Sequence, residues 1–277
     1  GYNALTALRA TGGGNFGGIQ NTALGYNAGG SGVFGGGSDG NGDDNTLVGY
    51  AAGYSITTGT DNVIFGSNAG AAMTTGYSNV LLGKSAGTAM VGNHNNIAIG
   101  QGALDAATDT EHYNVAIGNN ALGAEDSSAD YCVAVGHHAL TLQNANVKNT
   151  AIGGLAGDAV TTSTANTLVG YMAGSGIDTV GNGAGNTVVG HSAMDTGTGG
   201  GNTIMGADAG RVITGADNVC IGHTAGNDLT DGPGNVLIGK SAGAAMTTSD
   251  YNVAIGFAAL DALTTNSHNN VAIGTYA

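Results

Sequence analysis

Short apolar runs separated by polar, glycine-rich stretches recur along the whole chain. Two examples are NVIFG at residues 62–66 and NVLIG at residues 235–239. A four-residue run that ends at glycine is too short for a helix and predicts a β-strand. Side chains alternate between the two faces of a strand, and the last three residues of the run are all apolar or threonine. Both faces of each predicted strand therefore need to be covered.

The runs belong to one phrase that recurs fifteen times. Its copies begin at residues 21, 45, 62, 79, 96, 114, 132, 149, 166, 186, 202, 218, 235, 252 and 270. Their spacing is mostly 16 to 18 residues, with 24 after the first copy and 20 before the tenth. A fixed period of this size is typical of a solenoid, whose coils stack about 4.8 Å apart.

We therefore predict an all-β fold, a parallel β-solenoid (β-roll) of about 15 coils. Residues 1–20 are predicted to form a degenerate, linking coil with a long glycine-rich loop, and residues 21–277 the solenoid domain. Which face of the strand fills the interior is left open, because positions two, three and four of the phrase are all apolar or threonine.

Position one of the phrase is asparagine in every copy except the seventh, which has Cys132. Stacked amides can bond to their equivalents above and below or to turn backbone, which predicts a structural ladder. The alternative is that asparagine is present because it tolerates a left-handed turn conformation. The predicted ladder consists of Asn21, Asn45, Asn62, Asn79, Asn96, Asn114, Asn149, Asn166, Asn186, Asn202, Asn218, Asn235, Asn252 and Asn270.

Position five is glycine and position eight is alanine in all fifteen copies. A glycine without exceptions predicts a corner with positive φ, or a place where neighbouring backbones touch. The predicted corner residues are Gly25, Gly49, Gly66, Gly83, Gly100, Gly118, Gly136, Gly153, Gly170, Gly190, Gly206, Gly222, Gly239, Gly256 and Gly274. The alanine predicts a packed interior with little room.

The copies of the form NxAIGxxAL and NTLVGxxAG resemble the head repeats of trimeric autotransporter adhesins. They are also similar to the NTAIGYxAL-type arrays of phage and bacterial tail-fibre-like proteins. The resemblance covers residues 21–277, although the period here is longer than in the adhesins and their anchor, stalk and chaperone segments are not seen. It implies a left-handed coil and a homotrimer in which the chains cover one another's outer apolar faces. It also implies an extracellular, cell-surface or virion location.

Composition narrows the range of partners. The chain has a net charge of −14, with five basic residues against nineteen acidic ones. This balance argues against nucleic acid as a partner, since nucleic-acid binding needs clustered Lys and Arg. No apolar stretch is long enough for membrane insertion. The predicted partner is the chain itself, and a cell-surface receptor or glycan is left open.

We expect a structural or adhesive rod of a fibre, and not an enzyme. One alternative is a self-assembling end-to-end filament subunit, or a segment of a giant repeat protein. Joining NVAIGTYA at residues 270–277 to GYNALT at residues 1–6 places Gly1 at position nine, which supports an end-to-end polymer. A further alternative is an ice-binding solenoid, since threonine recurs at position two. We expect that threonine column to face inward, which weighs against ice binding.

Candidate chemistry is sparse, and no catalytic arrangement or cofactor site is predicted. Asp43 and Asp44 in GGGSDGNGDD are weak candidates for Ca²⁺. His137, His191 and His223 share position six, which is more typical of a solvent-exposed position than of a metal site on a threefold axis. Cys132 and Cys220 lie five coils apart, about 24 Å, too far for a disulfide. Buried thiols are expected instead.

Overall fold

The computed structural model is an all-β, parallel solenoid, as the repeat predicts. It describes residues 1–5, 18–31, 42–108, 111–124, 129–145, 147–177, 183–264 and 266–277. Within these residues there are fifteen three-residue strands and no helix. Each strand spans positions two to four of one copy of the phrase. The residues that follow form stacked turns.

The strand bounds follow the repeat. They are β1 Thr22–Leu24, β2 Thr46–Val48, β3 Val63–Phe65, β4 Val80–Leu82, β5 Ile97–Ile99, β6 Val115–Ile117, β7 Val133–Val135, β8 Thr150–Ile152, β9 Thr167–Val169, β10 Thr187–Val189, β11 Thr203–Met205, β12 Val219–Ile221, β13 Val236–Ile238, β14 Val253–Ile255 and β15 Val271–Ile273.

The chain consists of two compact units. The first is Gly1–His138 with Asn144–Asn146, and the second is Ala139–Gln143 with Val147–Ala277. In the first unit β1 to β7 pair in sequence order, with position two always opposite position two, as in Val63 opposite Val80. In the second unit β8 to β15 pair in the same way. The constant register places each column of the repeat in one line within its unit.

The interior of each unit is filled by the middle residue of the strand, by position eight and by position twelve. Leu81, Ala86 and Met90 show this in the coil that begins at Asn79, where all three are fully buried. Positions two and four are part-buried or exposed in every strand. Position three is therefore the inward position, which the sequence left undecided.

Positions three, nine and twelve share one interior volume. Where position three is a leucine or isoleucine, position nine is glycine, and a Cβ on Gly87 would lie 2.5 Å from Met90 Sδ and 3.0 Å from Leu81 Cδ2. The coil that begins at Asn96 fills the same space with Ala98, Leu104 and Ala107. Leucine has φ 52° at Leu104, so position nine accepts a left-handed side chain when the neighbouring volume is free.

This shared volume predicts the outcome of a repacking experiment. Gly87→Leu alone is expected to cost about 3 kcal/mol, because it overfills the core against Leu81 and Met90. Adding Leu81→Ala and Met90→Ala recreates the side-chain set of the next coil and should recover most of the loss. Thermal unfolding of the single and triple variants tests this. A triple variant no more stable than Gly87→Leu would show that the three positions do not compensate for one another.

The first five residues occupy the columns of a coil, but in a different register from the one predicted. A Cβ on Gly1 would meet Gly25 O at 2.4 Å, just as a Cβ on Gly25 would meet Gly49 O at 2.3 Å. The Tyr2 ring stacks on Tyr26 at 5.5 Å, and Tyr26 stacks on Tyr50 at 5.6 Å. Gly1 is therefore at position five. The prediction that it takes position nine is wrong, because GYNAL also fits positions five to nine, and the alignment no longer supports an end-to-end polymer.

Candidate functional site: the outward strand face and its supporting ladder

The asparagine ladder is formed by hydrogen bonds from each coil to the one before it. Asn79 Oδ1 accepts the Asn96 backbone N–H at 3.0 Å. Asn79 Nδ2 donates to Asn62 Oδ1 at 3.0 Å and to the Asn93 carbonyl at 2.8 Å. The same backbone-to-amide bond recurs from Asn21 to Cys132 in the first unit and from Asn149 to Asn270 in the second.

All fourteen asparagines are described, and twelve of them are almost completely buried; Asn21 and Asn270 are the exceptions. The predicted ladder is therefore present. The alternative explanation, a left-handed asparagine, is wrong, because none of the fourteen has positive φ. The left-handed residue is the one immediately before, for example Asp61 with φ 58°. Asparagine occupies position one because its side chain both donates and accepts, so most of these amides satisfy buried backbone on two sides. Asn166 is an exception, since its Nδ2 is buried without a hydrogen-bond partner.

The position-five glycines combine both geometries that the sequence offered. Their φ angles lie between 131° and 148°. At Gly66 a Cβ would lie 2.2 Å from the Gly83 carbonyl oxygen. The corner therefore needs glycine for its conformation and for backbone contact with the next coil.

The outward strand face of each unit consists of the side chains at positions two and four. Position two contributes Thr22, Thr46, Val63, Val80, Ile97, Val115, Val133, Thr150, Thr167, Thr187, Thr203, Val219, Val236, Val253 and Val271. Position four contributes Leu24, Val48, Phe65, Leu82, Ile99, Ile117, Val135, Ile152, Val169, Val189, Met205, Ile221, Ile238, Ile255 and Ile273.

None of these thirty side chains is charged, in a chain of net charge −14. Phe65 is 56 % exposed and Met205 is 45 % exposed. The expectation that the threonine column faces inward is wrong, because position three has the inward orientation and its neighbours must then point out. Within each unit the face is continuous, since the strands pair in register.

Position six forms a second exposed column beside the corner glycine. Tyr26, Tyr50 and Tyr171 are about half exposed there, and His137, His191 and His223 are exposed, as predicted. Neighbouring rings stack on one another, as Tyr171 does on His191 at 5.5 Å. Stacking turns the ring faces toward the adjacent coils and leaves ring edges in solvent. In the part of the chain that the structure describes, no group of three or more His, Cys, Asp or Glu side chains could hold a metal ion.

Of the two calcium candidates, one accepts a backbone hydrogen bond and the other has a left-handed backbone conformation. Asp43 Oδ1 accepts the Ile19 N–H at 2.7 Å. Asp44 is exposed and is the left-handed residue before Asn45, with φ 57°. The rest of the GGGSDGNGDD stretch, through residue 41, lies outside the described residues.

Neither cysteine forms a disulfide, and both are fully buried. Cys220 is the inward residue of β12, and burial raises the pKa of its thiol to about 12. Because the thiolate is the nucleophile, Cys220 is chemically inert in the folded chain. Cys132 takes the place of a ladder asparagine. Its backbone N–H donates to Asn114 Oδ1 at 2.9 Å, and its thiol donates to the Asp130 carbonyl at 3.8 Å.

A second side-chain ladder was missed by sequence reasoning. We call the residues two places before position one the pre-strand column. In this column, side chains accept the backbone N–H of the preceding coil: Asp43 from Ile19, His112 from His94, Asp130 from His112 and His268 from Asp250. The signal was a recurrence of Asp and His at one offset before position one. It was obscured because other copies have Ile, Thr, Tyr, Val, Ala, Gly or Pro there.

Comparison with known proteins yields no relative: no family model, curated protein or solved structure matches the chain. The described residues also contain no helix with the length and apolar character that crossing a bilayer requires. The outward strand face and the ladders behind it are therefore the features of the molecule that bear on its function.

Proposed function

We propose that the protein is a structural segment of an extracellular or virion fibre, in which three copies of the chain pack their outward strand faces together. The observation that carries this proposal is the outward strand face itself. Thirty apolar or threonine side chains without a single charge form the outward strand faces of the two units, in a strongly acidic protein. Large exposed apolar surfaces mark interaction sites, since soluble chains seldom leave them open.

Burial of this face supplies the driving force for assembly. Full burial of one Val, Leu, Ile, Phe or Met side chain contributes about 1.5–3 kcal/mol. Many weak contributions along in-register columns add up to a stable interface. The number three comes from the resemblance to trimeric adhesin heads, and packing of identical faces around a closed axis follows the usual symmetry of homo-oligomers.

The ladders fit a mechanical role. Backbone bonds between coils, the buried asparagines and the touching corner glycines restrain every coil at several points. The described coils repeat one architecture, and they differ from one another mainly in their loops. Adhesion to a receptor or glycan would then be a property of loops, which tolerate insertion in solenoids.

The test is to charge the outward strand face. Ile221→Lys with Ile255→Lys places two ammonium groups at position four, where solvent accommodates them in a single chain but an apolar interface does not. The control, His191→Lys with His223→Lys, places the same charges at the exposed position six. Light scattering should give three times the chain mass of 26.7 kDa for the unmodified and control proteins, and one chain mass for the strand-face variant. Trimers of the strand-face variant, or a monomeric unmodified protein, would refute the proposal.

A second candidate function has one observation in its favour. Thr150, Thr167, Thr187 and Thr203 point outward from four consecutive strands of the second unit, about 4.8 Å apart. A regular outward array of hydroxyl and methyl groups is the feature that an ice-binding surface needs. This function requires an open face and so excludes burial in a trimer. Thermal hysteresis that is lost in Thr167→Lys would support it; no hysteresis in the unmodified protein would reject it.

A further inference from the structure

The pre-strand column contains a stack of ionisable side chains in the first unit. Tyr77, His94, His112 and Asp130 come from four successive coils. The Tyr77 and His94 rings lie 4.5 Å apart, and the His94 and His112 rings only 3.6 Å apart. Both histidines are part-buried. Few places in a folded chain hold two imidazoles at van der Waals contact.

One hydrogen bond in this stack depends on a neutral imidazole. The His94 backbone N–H donates to His112 Nδ1 at 3.2 Å. Nδ1 must therefore carry its lone pair, which places the proton of neutral His112 on Nε2. A second proton at Nδ1 would turn this acceptor into a donor that faces another donor. The bond between the coils cannot survive that change.

The groups around His112 define the local charge. Asp130 Oδ1 accepts the backbone N–H of His112 at 2.7 Å. Glu111 is fully buried, and its Oε2 accepts from Asn93 Nδ2 at 2.7 Å. Tyr113 packs edge-on against both histidine rings and stacks on Tyr131 at 5.0 Å. Among the residues that the structure describes, these groups and Tyr77 are the titratable side chains packed around the histidine pair.

We propose that the His94–His112 pair is a pH-sensitive catch, which holds two neighbouring coils together at neutral pH and releases them when the solution becomes mildly acidic. Release opens the backbone at residues 92–95 and 111–113, next to the histidine pair. It does not require the strands or the asparagine ladder to separate. The proposal is independent of the proposed fibre function.

The direction of the effect follows from the behaviour of His94. Burial, and then the neighbouring His112, hold the pKa of His94 below its ordinary value of 6.5, while Gly92 backbone and Asp130 act the other way with less weight. The unfolded or opened state therefore takes up a proton first as the pH falls. The stabilisation is complete above about pH 6.5 and is lost as the pH drops below that value toward the folded pKa.

The second unit contains a contrasting arrangement. His268 Nδ1 accepts the Asp250 N–H at 3.2 Å and also lies 3.1 Å from Asp250 Oδ2. A proton on that nitrogen can be donated directly to the Asp250 carboxylate. Protonation of His268 therefore replaces the bond from the Asp250 N–H with a bond to the Asp250 carboxylate. The second unit thus contains an internal control, in which protonation of a histidine does not open the coil.

Hydrogen exchange at pH 7.5 and 5.5, normalised at each pH to exchange of the unfolded chain, tests the proposal on the full chain. In the unmodified protein, opening at residues 92–95 and 111–113 should rise about tenfold at pH 5.5, the change that loss of one hydrogen bond produces. Residues 249–251 and 266–269 should change much less. Equal protection of residues 92–95 and 111–113 at the two pH values would overturn the proposal.

Two variants identify the group responsible. His112→Asn keeps an oxygen acceptor that does not titrate, so it should remain closed at both pH values. His112→Ala removes the acceptor and should be open at both. His223→Asn changes an exposed histidine at position six and should behave like the unmodified protein. A His112→Asn variant that still opens tenfold at pH 5.5 would show that His112 is not the catch.

Discussion

Replacing one hydrogen atom by a methyl group at Gly66 is expected to unfold much of the first unit. The new Cβ would lie 2.2 Å from the Gly83 carbonyl oxygen and 2.5 Å from its carbon. Neither backbone can move away, because Gly66 N–H donates to Val48 O and Gly83 N–H to Phe65 O, both at 2.8 Å. We expect Gly66→Ala to cost more than about 4 kcal/mol, the range reserved for severe core disruption.

The matched control is Gly185→Ala. Gly185 also has positive φ, 72°, but a Cβ there meets nothing within 4 Å. Only the conformational penalty of about 1–2 kcal/mol remains. Thermal unfolding by circular dichroism compares the two variants. Equal melting temperatures would mean that backbone contact at the position-five corner is not what requires glycine.

A leucine in the middle of the asparagine ladder is expected to have the next largest effect. Asn79→Leu leaves two buried groups without their partners, the Asn96 N–H and the Asn93 carbonyl, while Asn62 Oδ1 still accepts the backbone N–H of residue 79. Each unsatisfied group costs about 1–3 kcal/mol, and the total should be on the order of 4 kcal/mol. Denaturant unfolding measures this loss. Asn119→Leu, which removes only an exposed 3.3 Å bond to Gln101 O, should change stability by less than about 0.5 kcal/mol.

A third substitution separates hydrogen bonding from shape. Asn79→Asp keeps the size and the acceptor but cannot donate to Asn62 Oδ1 once it is ionised. It should therefore destabilise the first unit most at neutral pH and less in acid, where the protonated carboxyl group can donate.

If the Asn79→Leu variant were as stable as the unmodified protein, the asparagine ladder would contribute packing only and not hydrogen bonding.

The repeat alone was sufficient to predict the strands, the parallel register, the corner glycines and the asparagine ladder. Glycine occurs at the position of Gly66 in every copy and asparagine at the position of Asn79 in every copy but one, and such columns have few physical explanations. The orientation of the strand could not be read in the same way, because Val80, Leu81 and Leu82 are all apolar. It is decided by the interior volume that Leu81 shares with Gly87 and Met90, which only the folded coil shows.

Left-handed residues other than glycine were also beyond sequence reasoning. Asn68, Ser85, Met172 and Thr224 all have φ between 56° and 59° at position seven. Their side chains share no propensity. The conformation is imposed by backbone bonds between stacked turns, such as Asn68 N–H to Tyr50 O at 2.8 Å, which offset the local cost. The pre-strand column was missed for a related reason: the backbone needs an acceptor there, and Asp43, His112 and Asp130 supply it with different groups.

Cysteine labelling gives the most direct test of the claim that copies of the chain cover the outward strand face. Met205→Cys places a thiol on that face, where a single chain leaves the side chain 45 % exposed. Lys84→Cys places one at the exposed position six, and both natural cysteines are buried. The account predicts that, in the native protein, Met205→Cys reacts with a thiol reagent far more slowly than Lys84→Cys, and that unfolding removes the difference. Equal rates in the native protein would contradict it, because the face would then be open to solvent.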